Sequence, residues 1–229
     1  MRWAWRLAPL VEVLVVLLGT SCRAAAQAQP VRTYVAIGAS DSVGVGANDP
    51  ATEGWVPRLA TRLGPDVQLV NLGVSGSTLA QALDEQLGPA VDAQPDVVTV
   101  WLAVNDLNAR VAVERYTADL DTLLGQLEAT HARVLVGNVP DLGGLAVYRG
   151  IEPGPLRTEV KRWNQVIADT VAKHGAVLVD LFVRWQELAD HPEYVSQDGF
   201  HPSSGGYQRL ADVFAQALTE AEAAGSAGP

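Results

Sequence analysis

The sequence predicts an α/β protein with a parallel β-sheet and helices on both of its faces. Five short runs rich in Val, Ile and Leu recur between residues 33 and 181, and amphipathic stretches separate them. Each apolar run is nearly continuous rather than alternating, which is typical of strands buried on both faces. Strand-like runs that alternate with helical patterns indicate successive βα units, and such units form a parallel sheet.

The elements follow one another in a regular order along the chain. We expect strands at Thr33–Gly38 (TYVAIG), Val67–Leu72 (VQLVNL), Asp96–Leu102 (DVVTVWL), Arg133–Asn138 (RVLVGN) and Ala176–Leu181 (AVLVDL). Amphipathic patterns predict helices near residues 54–63, 77–88, 112–130, 156–174 and 203–223. The small-residue segment 223–229 is expected to be a flexible tail.

Composition narrows the class of protein. The chain has 229 residues, of which 48% are hydrophobic and 18% charged, and this suits one globular domain, expected at 31–222. Its net charge of −10 argues against nucleic acid as a partner. The single Cys excludes an internal disulfide, a CxxC redox pair and a multi-Cys metal site. No histidine cluster has the spacing of metal ligands, so we expect no metal and no cofactor.

The N-terminus reads as an export signal. Arg2 and Arg6 precede a mostly apolar stretch from Leu7 to Leu18, which is short against the roughly 20 residues that span a bilayer. We expect residues 1–26 to be a signal peptide and the protein to be secreted or periplasmic. A lipoprotein signal that ends before Cys22, with a lipid on that Cys, is an alternative, and so is an uncleaved membrane anchor.

Polar residues follow the predicted strands at the edge where parallel sheets bind ligands. Ser40 comes just after the first strand, at a turn where a hydroxyl can be held exposed. A serine hydroxyl needs an adjacent base that a carboxylate orients, and Asp198 and His201 supply both groups within four residues. Taken singly, Ser40 reads as a helix or turn cap, and Asp198 as part of an Asx-turn.

Donors for a developing oxyanion are available at the same edge. Asn105 follows a strand and offers a side-chain amide, while Gly76 lets its backbone N–H approach an oxygen closely. The N–H of Ser40 is a third candidate. The structural alternatives are a helix cap at Asn105 and a turn at Gly76.

With these residues in place, the chain resembles the SGNH hydrolases, or GDSL esterase/lipase family, from about Thr33 to Leu210. Four blocks match in order: Gly38–Gly44, Asn71–Gly76, Val104–Asp106 and Asp198–Pro202. The resemblance implies a flavodoxin-like three-layer α/β/α fold and no metal. It also implies roles for five residues: Ser40 as nucleophile, His201 as base and then acid, Asp198 as its orienting carboxylate, and Ser40, Gly76 and Asn105 as the oxyanion hole.

The chain departs from the family pattern around the serine. The usual GDS(L/I) reads Gly38-Ala39-Ser40-Asp41, so the Asp before the nucleophile is absent and an Asp follows it. The asparagine block, which usually begins with Gly, has Ala at position 103. Neither change removes a reacting atom.

The predicted function is hydrolysis of small-molecule, lipid or carbohydrate esters through a Ser-His-Asp triad and an acyl-enzyme. Candidate substrate-binding residues are Trp55 as a wall of the acyl pocket, Asp41 beside the nucleophile, Leu142 in the long loop Asp141–Pro155, and His191. Two alternatives use the same fold: a non-catalytic module that binds cell-envelope glycan, and an O-acyltransferase.

Overall fold

The structure is a computed structural model that describes residues 30–184 and 191–226. The predicted signal peptide, with Cys22, lies outside the described residues, as does the end of the predicted tail. None of the helices in the described ranges combines the length and apolar character that crossing a bilayer requires.

Five parallel strands form one sheet, which confirms the predicted fold class. The strands are β1 Thr33–Gly38, β2 Gln68–Asn71, β3 Val97–Trp101, β4 Arg133–Gly137 and β5 Val177–Val179. Their order across the sheet is β2-β1-β3-β4-β5, the flavodoxin-like arrangement, and each lies within its predicted limits. All five residues of β3 are buried, in keeping with its continuous apolar run.

Helices cover both faces and complete three layers. They are α1 Ser40–Val43, α2 Pro50–Glu53, α3 Trp55–Leu63, α4 Leu79–Glu85, α5 Leu87–Asp92, α6 Ala103–Asn108, α7 Val113–Glu128, α8 Pro153–Lys173, α9 Leu181–Arg184 and α10 Ser204–Ser226. α3 and α10 pack against each other and against the sheet on one side, while α4, α5, α7 and α8 form the other layer. Short 3₁₀ turns lie at Leu142–Gly144, Ala146–Tyr148 and Pro192–Tyr194.

Two helical predictions need correction. The stretch predicted as one helix over 77–88 is two, because α4 ends at Glu85 and α5 begins at Leu87, with Gln86 buried at the junction. The C-terminal helix continues to Ser226, so the first part of the predicted flexible tail is helical. The physical reason is the run Glu220–Ala224, in which every residue is a strong helix former.

The strand order determines where a site can form. The chain leaves β1 toward β2 on one side and later returns to place β3 on the other side of β1. Such a reversal opens a crevice beyond the carboxyl ends of the two strands, where ligands bind in open α/β sheets. Ser40 follows β1, and Asn105 follows β3.

Candidate active site

Ser40 is the first residue of α1, on the tight turn that leaves β1. The turn requires glycine at position 38, because a Cβ there would lie 2.0 Å from Ser42 Oγ. It also requires glycine at position 73, where a Cβ would lie 2.8 Å from the Cβ of Ser42. The strand end and the glycine loop after β2 therefore pack closely around α1, and this packing sets the position of Ser40.

Asp198 and His201 belong to a short loop that leads into α10. Val195 and Pro202 form an antiparallel bridge at its base, and Gly199 turns the chain with a φ of 73°. Asp198 Oδ1 accepts hydrogen bonds from Ser196 Oγ at 2.8 Å and from the N–H groups of Phe200 and His201 at 2.8 and 2.9 Å. The carboxylate thus organises the loop that presents the imidazole.

The loop places His201 between Ser40 and Asp198. The distance from His201 Nε2 to Ser40 Oγ is 2.9 Å, and that from His201 Nδ1 to Asp198 Oδ2 is 2.6 Å. These are hydrogen-bonding distances, so hydroxyl, imidazole and carboxylate form one continuous chain. The loop thereby brings His201 into contact with Ser40, which lies 161 residues away in the chain.

The environment of Asp198 favours its ionised form. Partial burial opposes ionisation, but the hydrogen bonds from His201, Phe200 and Ser196 outweigh it and hold the pKa of Asp198 well below its usual range. An ionised carboxylate at Nδ1 selects the imidazole tautomer whose Nε2 is free to accept a proton from Ser40.

The three predicted oxyanion donors face the same edge of the sheet. Asn105 Nδ2 donates to the carbonyl of Ser77 at 2.9 Å, which anchors the amide. Its second hydrogen has no acceptor among the residues that the structure describes. Gly76 has a φ of 82°, a conformation that favours glycine, although a Cβ there would meet no atom within 4 Å. Within the described chain, neither the N–H of Gly76 nor that of Ser40 donates to a protein acceptor.

Asp106 fixes the loop that carries Gly76 relative to Asn105. Its buried Oδ2 accepts the N–H of Leu79 at 2.9 Å, at the start of α4. Burial raises the pKa of Asp106 to about 6. In the sequence, Asp106 stands out only as part of a matching block, because its hydrogen-bond partner Leu79 lies 27 residues away.

Two cavities adjoin the catalytic groups. The inner one has a volume of about 20 Å³, room for about one water. It is lined by Asp41, Trp101, Val104, Pro140, Leu142, Leu145, Tyr194, Val195, Phe200 and Pro202. The outer one is an open cleft of about 440 Å³ lined by Asn108, Val147, Tyr148, Ile151, Asp198, Phe200 and His201. Phe200 lines both cavities.

Of the four predicted substrate-binding residues, two line the inner cavity and two do not. Asp41 and Leu142 line the inner cavity. His191 is exposed, with its Nδ1 2.7 Å from Glu193 Oε1 and its ring stacked on Tyr194, and it lines neither cavity. The structure therefore does not place His191 at either cavity, although its stacking partner Tyr194 lines the inner one.

The structure corrects the expectation that Trp55 forms a wall of the acyl pocket. Trp55 has no exposed surface and stacks on Phe214 with ring centroids 4.4 Å apart, behind Trp101. A fully covered indole in the core cannot form a pocket wall. Trp101, which lies in a predicted buried strand, lines the inner cavity instead. In the sequence, Trp101 lies in a predicted buried strand and Trp55 follows the serine block, so the local pattern favoured Trp55 as the residue at the site.

Gln86 is a residue that the sequence reading missed. Its buried carboxamide has two contacts. One is with Gly38, at the end of the strand before Ser40. The other is with Ser77, in the loop after Gly76. The surroundings of Gln86 in the sequence are those of an ordinary amphipathic helix, so nothing local signals this link.

The protein is a parallel α/β sandwich in which a serine, a histidine and an aspartate are hydrogen-bonded in series at the carboxyl edge of the sheet. This arrangement is typical of a serine hydrolase. Residues 36–209 match the model of the GDSL-like Lipase/Acylhydrolase family. This match covers most of the chain, and the protein belongs to that family, whose enzymes hydrolyse carboxylic esters.

Individual relatives agree with this assignment. An arylesterase from Vibrio mimicus is 25% identical over 191 residues, which are 79% of this chain and 86% of the relative. An acetylxylan esterase from Geobacillus stearothermophilus is 22% identical over 155 residues, or 65% and 70% of the two chains. The crystal structure of TesA superposes with a TM-score of 0.69 at 23% identity, and the match covers 83% of this chain and 99% of that one.

Proposed function

We propose that the protein hydrolyses esters through an acyl-enzyme on Ser40. The observation that carries the proposal is the continuous chain from Ser40 Oγ to His201 Nε2 and from His201 Nδ1 to Asp198. Ser40 Oγ attacks the acyl carbon while His201 Nε2 takes the hydroxyl proton, and Asp198 stabilises the imidazolium that forms. The N–H groups of Ser40 and Gly76 and the amide of Asn105 supply donors to the oxyanion.

The same groups complete the cycle. The bond from the acyl carbon to the alcohol oxygen breaks, and the imidazolium donates its proton to the departing alcohol. Water then attacks the acyl-enzyme and gives a proton to His201, and Ser40 recovers a proton as the acid leaves. Water is the one co-reactant, and no electron transfer takes place.

The outer cleft supports esters with an apolar alcohol portion. Val147 and Ile151 are 52% and 49% exposed at its wall, and Tyr148 and Phe200 add aromatic surface beside His201. Exposed apolar side chains around a reacting group favour an aryl or alkyl group over a heavily hydroxylated one. We therefore propose aryl or alkyl esters as the substrate class, as the name of the Vibrio mimicus relative also suggests.

A substrate panel tests the mechanism and the class together. We expect hydrolysis of phenyl and p-nitrophenyl esters of graded acyl length, with little release of acetate from acetylated xylan or peptidoglycan fragments. Ser40→Ala should lose turnover and labelling by a fluorophosphonate, while Thr122→Ala on the exposed face of α7 should keep both. Turnover that persists in Ser40→Ala would rule out the mechanism.

The same panel separates the other functions of this fold. A folded wild-type protein without fluorophosphonate labelling would favour a glycan-binding module. Ester consumption that yields a new ester with added alcohol, rather than free acid, would favour acyl transfer.

We further propose export of the mature protein, on the basis of residues 1–26 alone. Expression of the full chain in a bacterial host, followed by fractionation and N-terminal sequencing, tests this. Cleavage near Ala26 or Ala28 supports a simple signal peptide, whereas acyl labelling that is lost in Cys22→Ala supports a lipid anchor. Retention of the full-length chain in the cytoplasm would contradict export.

A further inference from the structure

The outer cleft contains two polar side chains that the proposed mechanism does not use, Asn108 and Tyr148. The cleft has a volume of about 440 Å³, which is within the range of small-molecule sites, and His201 lines it. The aliphatic side chains of Val147 and Ile151 make much of the remaining wall apolar. A few fixed polar groups in an apolar cleft ordinarily decide how a ligand is oriented.

A hydrogen bond between these two side chains orients the amide of Asn108. Tyr148 is buried, and its hydroxyl donates to Asn108 Oδ1 at 2.8 Å. Burial raises the pKa of the Tyr148 phenol, so the phenol keeps its proton and remains the donor. Because Oδ1 faces the hydroxyl, the Nδ2 end of the amide is turned away from Tyr148.

The Nδ2 hydrogens of Asn108 have no protein acceptor. Within residues 30–184 and 191–226, the bond at Oδ1 is the only hydrogen bond of this side chain. Asn108 is the last residue of α6 and is exposed, so its N–H groups are open to a ligand in the cleft. The group that complements them is a hydrogen-bond acceptor.

The charge of the cleft favours a neutral acceptor over an anion. The ionised carboxylate of Asp198 lines the same cleft, and the part of the chain that the structure describes adds no lysine or arginine to the lining. A carboxylate or phosphate on the ligand would meet this negative charge with no cation to offset it. A carbonyl or ether oxygen accepts a hydrogen bond without that repulsion.

We propose that Asn108 is a specificity-determining residue, which donates from Nδ2 to a carbonyl or ether oxygen in the alcohol portion of the ester. This inference rests on the proposed ester hydrolysis by Ser40, with the alcohol in the outer cleft. The preferred substrates are then esters of short alkyl alcohols that carry one neutral oxygen acceptor several carbons beyond the ester oxygen. Tyr148 is a positioning residue, because it acts through the amide of Asn108.

Matched pairs of alkyl esters measure the preference. The acyl group is the one that the substrate panel shows to be turned over fastest. The 4-oxopentyl ester is compared with the 4-methylpentyl ester, and the 5-oxohexyl ester with the 5-methylhexyl ester, because within each pair a carbonyl oxygen takes the place of a methyl group. Release of free acid is followed, and the rate with Ser40→Ala is subtracted as the background. The quantity of interest is the ratio of kcat/KM for the oxo ester to that for the methyl ester.

The ratio should depend on Asn108. We expect it to be about fivefold higher in wild type than in Asn108→Leu, for at least one chain length, because one hydrogen bond between neutral groups has about that net effect. Asn108→Asp, which puts an acceptor in place of the donor, should lower the ratio at least as far. Tyr148→Phe should lower it by a smaller factor, because the amide is then free to rotate. Asn48→Leu, at an exposed position that lines neither cavity, is the matched control and should keep the wild-type ratio.

The outcomes distinguish this inference from the proposed function. Equal ratios in wild type, Asn108→Leu and Asn108→Asp, with hydrolysis that depends on Ser40, would overturn the role of Asn108 and leave the esterase in place. A ratio that falls in Tyr148→Phe but not in Asn108→Leu would assign the contact to the phenol and would overturn that role too. Absence of all hydrolysis and of fluorophosphonate labelling would instead reject the esterase itself.

A further arm moves the acceptor to the acyl side. Methyl 5-oxohexanoate is compared with methyl 5-methylhexanoate, and a preference there that depends on Asn108 would overturn the assignment of the outer cleft to the alcohol. If Asn108→Leu fails to fold, the ratio in Asn108→Asp decides in its place.

Discussion

The side-chain amide of Gln86 pairs with both peptide groups of Gly38. Gln86 Oε1 accepts the N–H of Gly38 at 2.9 Å, and Gln86 Nε2 donates to the carbonyl of Gly38 at 3.0 Å. The same Nε2 lies 3.2 Å from Ser77 Oγ. One buried side chain therefore ties the strand that ends before the nucleophile to the loop that carries an oxyanion donor.

Replacing Gln86 should affect both stability and turnover. Gln86→Met keeps the volume but leaves the buried N–H of Gly38 without an acceptor, so we expect a loss of about 2 kcal/mol in the free energy of unfolding. We expect kcat to fall by about tenfold or more with a smaller change in KM, because the nucleophile and its oxyanion donors lose their relative alignment. Denaturant unfolding and steady-state kinetics measure the two effects.

Gln165→Met, on the exposed face of α8, is the control and should change neither quantity appreciably. A Gln86→Met enzyme that is destabilised but has wild-type kcat would show that this amide serves the fold alone.

Removal of the Asn105 amide should slow the reaction rather than weaken binding. Asn105→Ala takes away one oxyanion donor, and kcat is expected to fall by about 10²–10³-fold with KM little changed. Asn48→Ala, at an exposed position, is the control and should keep wild-type kinetics. A change confined to KM would mean that Asn105 contacts the substrate only in its ground state.

Trp55 should matter for stability and not for substrate choice. Trp55→Phe leaves a cavity between Phe214 and Trp101, and we expect the free energy of unfolding to fall by about 1–3 kcal/mol. The loss is moderated because the buried indole Nε1 has no hydrogen-bond partner among the described residues. The relative rates across a series of acyl lengths should stay as in wild type, and a shifted series would return Trp55 to the acyl pocket.

His174 should make stability depend on pH. Its Nε2 lies 2.8 Å from Asp121 Oδ1 and its Nδ1 2.5 Å from Glu128 Oε1, and these hydrogen bonds raise the pKa of His174 above its usual value. Because the folded pKa exceeds the unfolded one, the stabilisation is fully present below about pH 6.5 and is lost as the pH rises through the folded value.

Urea unfolding of wild type and His174→Gln at pH 5.5 and pH 9 checks this dependence. The difference between the two proteins should be larger at pH 5.5, by up to about 1 kcal/mol, because the ion pairs are near the surface. Thr122→Ala, which removes no titratable group, is the control, and its difference from wild type should be the same at both pH values. A gap that widens toward pH 9 would contradict the assigned sign.

The fold was predictable because its signals are local. The runs TYVAIG and VVTVW are apolar throughout, and only a strand covered on both faces uses such a run. The boundary within residues 77–88 was not predictable, because Gln86 interrupts the helix through contacts with residues 48 and 9 positions away. The sequence likewise favoured Trp55 over Trp101 as the residue at the site, and only the packing of Trp55 against Phe214 shows that it belongs to the core. Trp101 lines the inner cavity.

The sequence by itself determined the parallel α/β class and identified Ser40, Gly76, Asn105, Asp198 and His201 as residues that meet at one edge of the sheet. Residue type and strand spacing suffice for that, since the carboxyl ends of parallel strands converge. Only the tertiary structure fixed the distances between Ser40, His201 and Asp198, and only it placed Asp41 in the lining of the inner cavity. Distances and desolvation arise from contacts between residues far apart in the chain, which no local pattern encodes.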